Sequence, residues 1–97
     1  MPSYMVLGRY TQKGVESIKG APARLDAVKQ AARQAEVEVK AFYLTLGQYD
    51  FVFVMDAPDD EAMARLMLAT SAQGNFRSET LRAFTEDEYR KIIGALP

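Results

Sequence analysis

Two apolar runs joined by a glycine turn form the strongest pattern in the chain, within residues 37–56. β-Branched and aromatic residues dominate both runs and Gly47-Gln48 lies between them, so the segment predicts a β-hairpin with a two-residue turn. The turn sets the register of the strands, and the register sorts their side chains into two faces. The first face is bulky and apolar and carries Phe42, Leu44, Leu46, Tyr49, Phe51 and Phe53.

The second face of this hairpin carries Tyr43, Thr45 and Asp50 among further apolar residues. A sheet with one face in solvent alternates apolar and polar residues, and this hairpin does not, so both faces are expected to be covered. Helices can cover the first face. The second face needs another partner.

Two further strands flank the hairpin in sequence. Residues 3–10 alternate as a first strand, in which Gly8 predicts a bulge or the close approach of another backbone. Residues 76–84 form the most polar strand, as an edge strand can be. Thr85 with Glu88 three residues later matches a capping box and predicts a short C-terminal helix.

Helical periodicity predicts two longer helices, over residues 23–36 and 58–72, each introduced by a proline. Small residues dominate their apolar stripes, which suits a bulky opposing sheet face. The stripes expected to be buried are Leu25, Val28, Ala32 and Ala35 in the first helix and Ala62, Met63, Leu66, Met67 and Ala69 in the second.

The order of these elements is β-α-β-β-α-β plus a C-terminal helix. It predicts an α+β chain with the ferredoxin-like split βαβ arrangement and a four-stranded antiparallel sheet. Right-handed crossovers place the first and third strands in the middle. An open apolar sheet face is rare on a monomer, so we expect two copies to pack face to face as a twofold homodimer. The 97 residues are expected to form one domain, residues 1–97.

The amino-acid composition argues against several classes of partner and catalytic site. Twelve basic and 13 acidic residues give a net charge of −1 without a basic patch, which argues against nucleic acid as a partner. The chain has no histidine and no cysteine, so the commonest general base, metal ligand and thiol nucleophile are missing. No metal or cofactor is expected. No apolar run approaches about 20 residues, so we expect a cytoplasmic protein without a membrane partner.

The turn sequence Gly47-Gln48-Tyr49-Asp50, followed by an apolar strand, resembles the GYD domain family, which is named for a Gly-x-Tyr-Asp pattern at this place. Residues 4–14, 57–60 and 80–85 also look typical of that family, so the resemblance covers the whole chain. It implies a bacterial protein with the fold of the dimeric α+β barrels and self-association. The family has no defined activity, so the resemblance implies no reaction.

Two looser similarities concern the same hairpin and element order. The effector-binding domain of the feast/famine transcription regulators has a similar Gly-x-Tyr/Phe-Asp turn, and those domains bind amino acids between subunits. The dimeric α+β barrel enzymes include monooxygenases and isomerases, several of which use a catalytic histidine that this chain lacks.

The residues singled out as a candidate binding site are Tyr43, Thr45, Asp50, Tyr10 and Arg9. The carboxylate of Asp50 is open to two interpretations: a half-buried general acid or base, or an acceptor for the turn backbone or Thr45 that pins the hairpin. Arg9, with Arg77 and Arg82, could bind an anion or be a solvated charge.

Two functions remain open. The first is a small homo-oligomeric module that binds a small metabolite between sheet faces. The alternative is a cofactor-independent enzyme of the dimeric α+β barrel type, monooxygenase- or isomerase-like, that uses an aspartate and a tyrosine. The absence of histidine favours the first. A pocket between sheet and helices, or between two sheets, is the natural ligand site.

Overall fold

The computed structural model describes all 97 residues. Four strands and four helices follow one another along the chain, with a short 3₁₀ turn at Ile18–Gly20. The strands are β1 (Ser3–Tyr10), β2 (Glu38–Leu44), β3 (Phe51–Asp56) and β4 (Phe76–Ala83); the helices are α1 (Gln12–Glu16), α2 (Ala21–Gln34), α3 (Asp60–Ser71) and α4 (Glu86–Gly94).

The four strands form one antiparallel sheet in the order β2-β3-β1-β4. The two strands predicted for the middle, β1 and β3, lie there, and the polar strand β4 is an edge. The fold is therefore the α+β, ferredoxin-like arrangement with an extra C-terminal helix that the element order predicts. No helix is long and apolar enough to cross a membrane.

The hairpin keeps the predicted register, with Phe42 opposite Phe53 and its neighbours in step. A bulge between Val39 and Ala41, which the sequence pattern does not reveal, interrupts β2. The ladder ends earlier than predicted, because β3 begins at Phe51 and leaves Tyr49 in the connecting turn. Leu46, expected on the helix-facing side, also lies in this turn and is 98% exposed.

Helices α2 and α3 cover one face of the sheet. Val28 and Ala32 of α2 are buried, as are the predicted residues of α3 with one exception: Ala69 is exposed, and the next residue, Thr70, is half-buried. The stripe on α3 advances by three or four residues per turn, so position 70 follows position 66. The buried core comprises Tyr4, Val6, Val28, Ala32, Val37, Phe51, Phe53, Met55, Ala57, Met63, Leu66 and Met67.

Gly8 lies in the middle of β1, directly opposite Phe51 of β3. A Cβ atom on Gly8 would lie 2.0 Å from Cζ of the Phe51 ring. The close approach that the sequence predicts therefore involves an aromatic side chain, and neither a bulge nor another backbone. The ring lies across the glycine and packs into the core, so any side chain at position 8 would displace it.

Side-chain caps stabilise the N-termini of helices α3 and α4. Asp59 caps α3 by accepting a hydrogen bond from the backbone of Ala62 at 2.8 Å, and acidic residues follow in the first turn, where the helix dipole favours them. The predicted capping box of α4 forms in both directions between Thr85 and Glu88. The backbone hydrogen bond from Thr85 lowers the pKa of the Glu88 carboxyl.

Besides single exposed residues such as Leu46 and Leu68, two groups of neighbouring apolar residues stay exposed. One is the open sheet face, opposite the helices, which carries Met5, Leu7, Tyr43, Val52, Val54 and Leu81. The other is helix α4, whose apolar residues Tyr89, Ile92 and Ile93 are about half exposed. The open sheet face was expected from the sequence, and neither surface is covered within the single chain.

We predict that Gly8→Ala lowers the free energy of unfolding by about 1–3 kcal/mol, because the new methyl group overlaps the Phe51 ring. Chemical denaturation measures the loss. In a Phe51→Leu background the same substitution should cost less, since the obstructing ring is gone. Gly94→Ala, where a Cβ meets nothing within 4 Å, is the matched control. Equal losses at positions 8 and 94 would contradict the ring-over-glycine interpretation.

Candidate functional site

The connecting turn between β2 and β3 is held by its own backbone and by Thr45. Gly47 has a φ of +110°, in the left-handed region that glycine adopts without strain. The amide of Thr45 donates to the carbonyl of Asp50 at 2.8 Å, and its hydroxyl donates to the carbonyl of Tyr49 at 2.6 Å. The side chain of Thr45 is therefore committed to the turn.

Asp50 fastens this turn to the neighbouring strand β1. Its amide donates to the carbonyl of Gly8 at 2.7 Å, and its carboxylate oxygen Oδ2 accepts from the amide of Tyr10 at 2.9 Å. Of the two roles considered for this carboxylate, the geometry matches the structural one, although the partner is β1 and neither Thr45 nor the turn. A side-chain acceptor here extends the pairing of β1 with β3 beyond Phe51.

Tyr49 lies on the open sheet face, which corrects its expected place among the core aromatics. Its hydroxyl donates to Glu79 of β4 at 3.0 Å, and the guanidinium carbon of Arg9 lies 4.6 Å from its ring centre. The hydrogen bond to Glu79 is the main cause that raises the pKa of the Tyr49 hydroxyl. Side chains alternate between the two sheet faces only within a strand. Tyr49 precedes β3, which begins at Phe51, so the alternation does not predict its side.

A cavity of about 350 Å³ lies on the opposite side of the sheet, between the hairpin end and the first turns of α2. Ten of its 13 lining residues are hydrophobic. Leu44 and Ile18 line it and are 73% and 43% exposed, so its mouth opens between β2 and the 3₁₀ turn. Its aromatic walls are formed by Tyr10, Phe42, Phe51, Phe53 and Phe76.

Phe51 is the centre of this aromatic wall. Its ring centre lies 5.3 Å from that of Tyr10, 5.9 Å from Phe42, 5.7 Å from Phe53 and 5.5 Å from Phe76. These are contact distances for tilted and edge-to-face rings, which hold one another in fixed orientations. The wall is therefore a preformed apolar surface.

The guanidinium of Arg24 and the backbone of Asn75, both in the cavity lining, have protein partners. The guanidinium of Arg24 donates to the carbonyl of Ser17 at 3.1 Å and to that of Gly14 at 3.5 Å. The carbonyl of buried Asn75 accepts from the amide of Thr11 at 3.1 Å. What remains for a ligand is mainly apolar surface, so the cavity suits an uncharged molecule.

The five candidate site residues do not form one site. Tyr10 lines the cavity on the helix side. Tyr43, 61% exposed, and Arg9 lie on the open face, and Thr45 and Asp50 are bonded to backbone between them. The sequence does signal the cavity, since Phe42, Phe51 and Phe53 share one face of the hairpin. Their meeting with Tyr10 and Phe76 depends on the pairing of β1 with β3 and β4.

A buried tyrosine lies at the other end of the sheet. The hydroxyl of Tyr4 donates to Asp60 at 2.5 Å, and the guanidinium carbon of Arg82 lies 5.7 Å from its ring centre. Burial and then the hydrogen bond to Asp60 raise the pKa of Tyr4 to about 12. A hydroxyl of this kind is a protonated structural donor and not a base. No three acidic side chains gather in a way that could hold a metal ion.

Comparison with known sequences gives a family and a relative. The sequence model of the GYD domain family matches residues 4–93. A protein of Thermus thermophilus named "Glutamine synthetase and cystathionine beta-lyase binding protein" is 39% identical over 84 residues, which are 86% of this chain and 88% of that protein.

Comparison with solved structures confirms the fold. A feast or famine regulatory protein of Mycobacterium tuberculosis, complexed with L-methionine, has a TM-score of 0.63 and 21% identity. The match covers 90% of this chain and 54% of the regulator, so the chain spans about half the regulator's length. A dehydrochlorinase of Burkholderia phenoliruptrix also has a TM-score of 0.63, with 13% identity, 90% of this chain and 97% of that enzyme covered. At these identities the likeness concerns the fold alone.

The raised pKa of Tyr4 predicts an alkaline limit to stability. The folded chain holds this proton more tightly than the unfolded chain, so the stabilisation is complete below pH 10 and is lost as the pH rises through about 12. We expect Tyr4→Phe to flatten the fall in unfolding free energy across this range, measured by denaturation at a series of pH values. Tyr89→Phe, on an exposed ring of α4, is the control. Identical profiles for wild type and Tyr4→Phe would contradict the assignment.

Proposed function

Because the chain belongs to the GYD domain family, we propose that it is a single-domain, homo-oligomeric module that binds an uncharged, apolar metabolite in the cavity between its sheet and helix α2. The cavity carries this proposal. Its volume of about 350 Å³ falls within the range of small-molecule sites, about 300–1,000 Å³. The aromatic wall around Phe51 offers flat faces for a planar or ring-containing ligand.

The helix-side cavity is preferred to the space between sheet faces that the sequence suggests. Thr45 and Asp50 use their side chains to hold the backbone, so they offer few free groups to a ligand. Tyr10 is the one residue among the five candidates that belongs to the proposed site.

The relative from Thermus thermophilus is named for the binding of two enzymes, which supports a binding role over a catalytic one without identifying a small-molecule ligand. The cofactor-independent enzyme remains the alternative. Neither Asp50 nor Tyr43 lines the cavity, so a reaction there would have to proceed without the aspartate and tyrosine expected to serve it. The dehydrochlorinase shares the fold and gives no support to a shared reaction.

We further propose that the open sheet face is the interface of a homodimer. Met5, 36% exposed, lies on the central strand β1, and the half-buried Leu7 follows two residues along the same strand. On β3, the half-buried Val54 pairs with Met5 and Val52 pairs with Leu7. The apolar residues of this face spread over all four strands, and a large contiguous apolar surface of this kind marks an interaction site. A second copy of the same face would cover it with twofold symmetry.

The cavity proposal is tested with a substitution that fills the cavity. We expect wild-type protein to bind the neutral fluorescent probe N-phenyl-1-naphthylamine saturably. Ala21→Phe places a ring at the cavity wall and should weaken binding about tenfold or more, through lost apolar contact. Ala23→Phe, two residues along α2 at an exposed position outside the cavity, should bind as wild type does.

Two results would contradict the cavity as the site: equal probe binding by wild type and Ala21→Phe, or equal loss in both variants. Native mass spectrometry of freshly purified protein adds an independent measurement. A retained small molecule should be present in wild type and Ala23→Phe and absent from Ala21→Phe.

The dimer proposal is tested by light scattering coupled to gel filtration. Wild type should elute at twice the chain mass of 10.8 kDa at micromolar concentration. Met5→Lys should elute as a monomer, because a lysine in the centre of the interface would be buried without a partner. Leu68→Lys makes the same exchange on the exposed side of α3, where Leu68 is 72% exposed, and should stay dimeric. A monomeric wild type would refute the proposal.

A further inference from the structure

Two arginines face each other at one end of the open sheet face. Arg9 of β1 and Arg77 of β4 are direct cross-strand partners. Like charges at opposite positions destabilise a sheet. Neither arginine takes part in any of the four ion pairs of the structure. The pair therefore concentrates positive charge at an exposed place, and a bound anion would reduce the repulsion between the two guanidinium groups.

Arg9 is oriented before any ligand arrives. Its Nε donates to the carbonyl of Gln48 at 2.6 Å, and its guanidinium stacks over the Tyr49 ring at 4.6 Å. The two terminal nitrogens of the guanidinium have no protein acceptor. A fixed guanidinium loses less entropy on binding, and its fork matches two oxygens of a carboxylate or phosphate.

A cavity of about 90 Å³ lies between these groups, lined by Leu7, Arg9, Tyr49, Arg77, Ser78 and Glu79. It has the volume of roughly three water molecules at ~30 Å³ each, which suits one small oxyanion. Glu79 is the single acid on its wall, and the Tyr49 hydroxyl donates to one of its oxygens. The lining side chains keep a net positive charge.

We propose that this cavity, the arginine site, binds an oxyanion: inorganic phosphate, or the carboxylate or phosphate group of a small metabolite. Arg9 and Arg77 supply the charge, and Tyr49 and Gln48 hold Arg9 in place. Leu7 borders the site and continues into the open apolar face, so an organic anion can lay its apolar part there. The site is on the opposite sheet face from the aromatic cavity and does not depend on the function proposed for it.

The test measures binding of inorganic phosphate and of succinate by titration calorimetry, at constant ionic strength set with sodium chloride. Both should bind saturably in the millimolar range and compete with each other. In NMR spectra of the protein, both should shift the Nε–H resonance of Arg9. Arg77→Gln should weaken binding about tenfold or more, by loss of a charge-assisted contact. Binding of phosphate alone would assign the site to phosphate groups, and binding of succinate alone to carboxylates.

Three variants sharpen the result. Arg33→Gln removes the same charge from an exposed position of α2 and should bind as wild type does. Glu79→Gln removes the one negative charge of the site and should tighten binding. Arg9→Lys keeps the charge without the fork and should bind more weakly than wild type. The side chain of Arg77 makes no hydrogen bond within the chain, so the variant should fold, which thermal melting checks.

Several outcomes would overturn the proposal. One is the absence of saturable binding by wild type. Another is an equal loss in Arg77→Gln and Arg33→Gln, which would reduce the effect to net charge. A third is an Arg77→Gln variant that loses the dimer while wild type binds neither anion, which would assign the two arginines to an acidic group of the second copy.

Discussion

The contact between Gly8 and the ring of Phe51 is the constraint on which the centre of the molecule depends. Because Gly8 has no side chain, the ring lies across β1 and joins the two middle strands on the helix side. Four further aromatic rings pack around it at 5.3–5.9 Å. These rings form the wall of the cavity. The absence of a Cβ atom at Gly8 therefore allows both the packing of the core and the shape of the proposed ligand site.

The Gly-x-Tyr-Asp motif of the family, residues 47–50, positions Phe51 by attaching the end of the hairpin to β1. Asp50, next to Phe51, bonds the backbone of β1 on both sides of Arg9 and so fixes where the hairpin meets that strand. Tyr49 points to the other face and lies under Arg9. Gly47 supplies the left-handed turn that lets the chain reverse. All three motif residues, Gly47, Tyr49 and Asp50, therefore have structural roles in the hairpin and its attachment to β1.

This arrangement separates two environments by the thickness of one sheet. The helix side offers a cavity lined mainly by apolar side chains, and the open side offers two arginines without an ion-pair partner beside an apolar surface. In the proposals above, an uncharged ligand and an anion bind on opposite faces of the sheet. Tyr49 borders the anion site and Phe51, two residues later, lines the cavity. A second copy of the chain on the open face would cover the apolar surface and border the arginine site.

The amino-acid sequence by itself determined the elements, their order and the register of the hairpin. These depend on local periodicity, on turn and cap residues such as Gly47 and Thr85, and on the handedness of crossovers, all of which can be recognised in one segment at a time. Tertiary structure decided what depends on neighbours distant in sequence: the ring over Gly8, the side on which Tyr49 lies, the partner of Asp50, and the meeting of Arg9 with Arg77. Each follows from the pairing of β1 with β3 or β4, because a strand pattern specifies a face but not which residue of another strand will lie beside it.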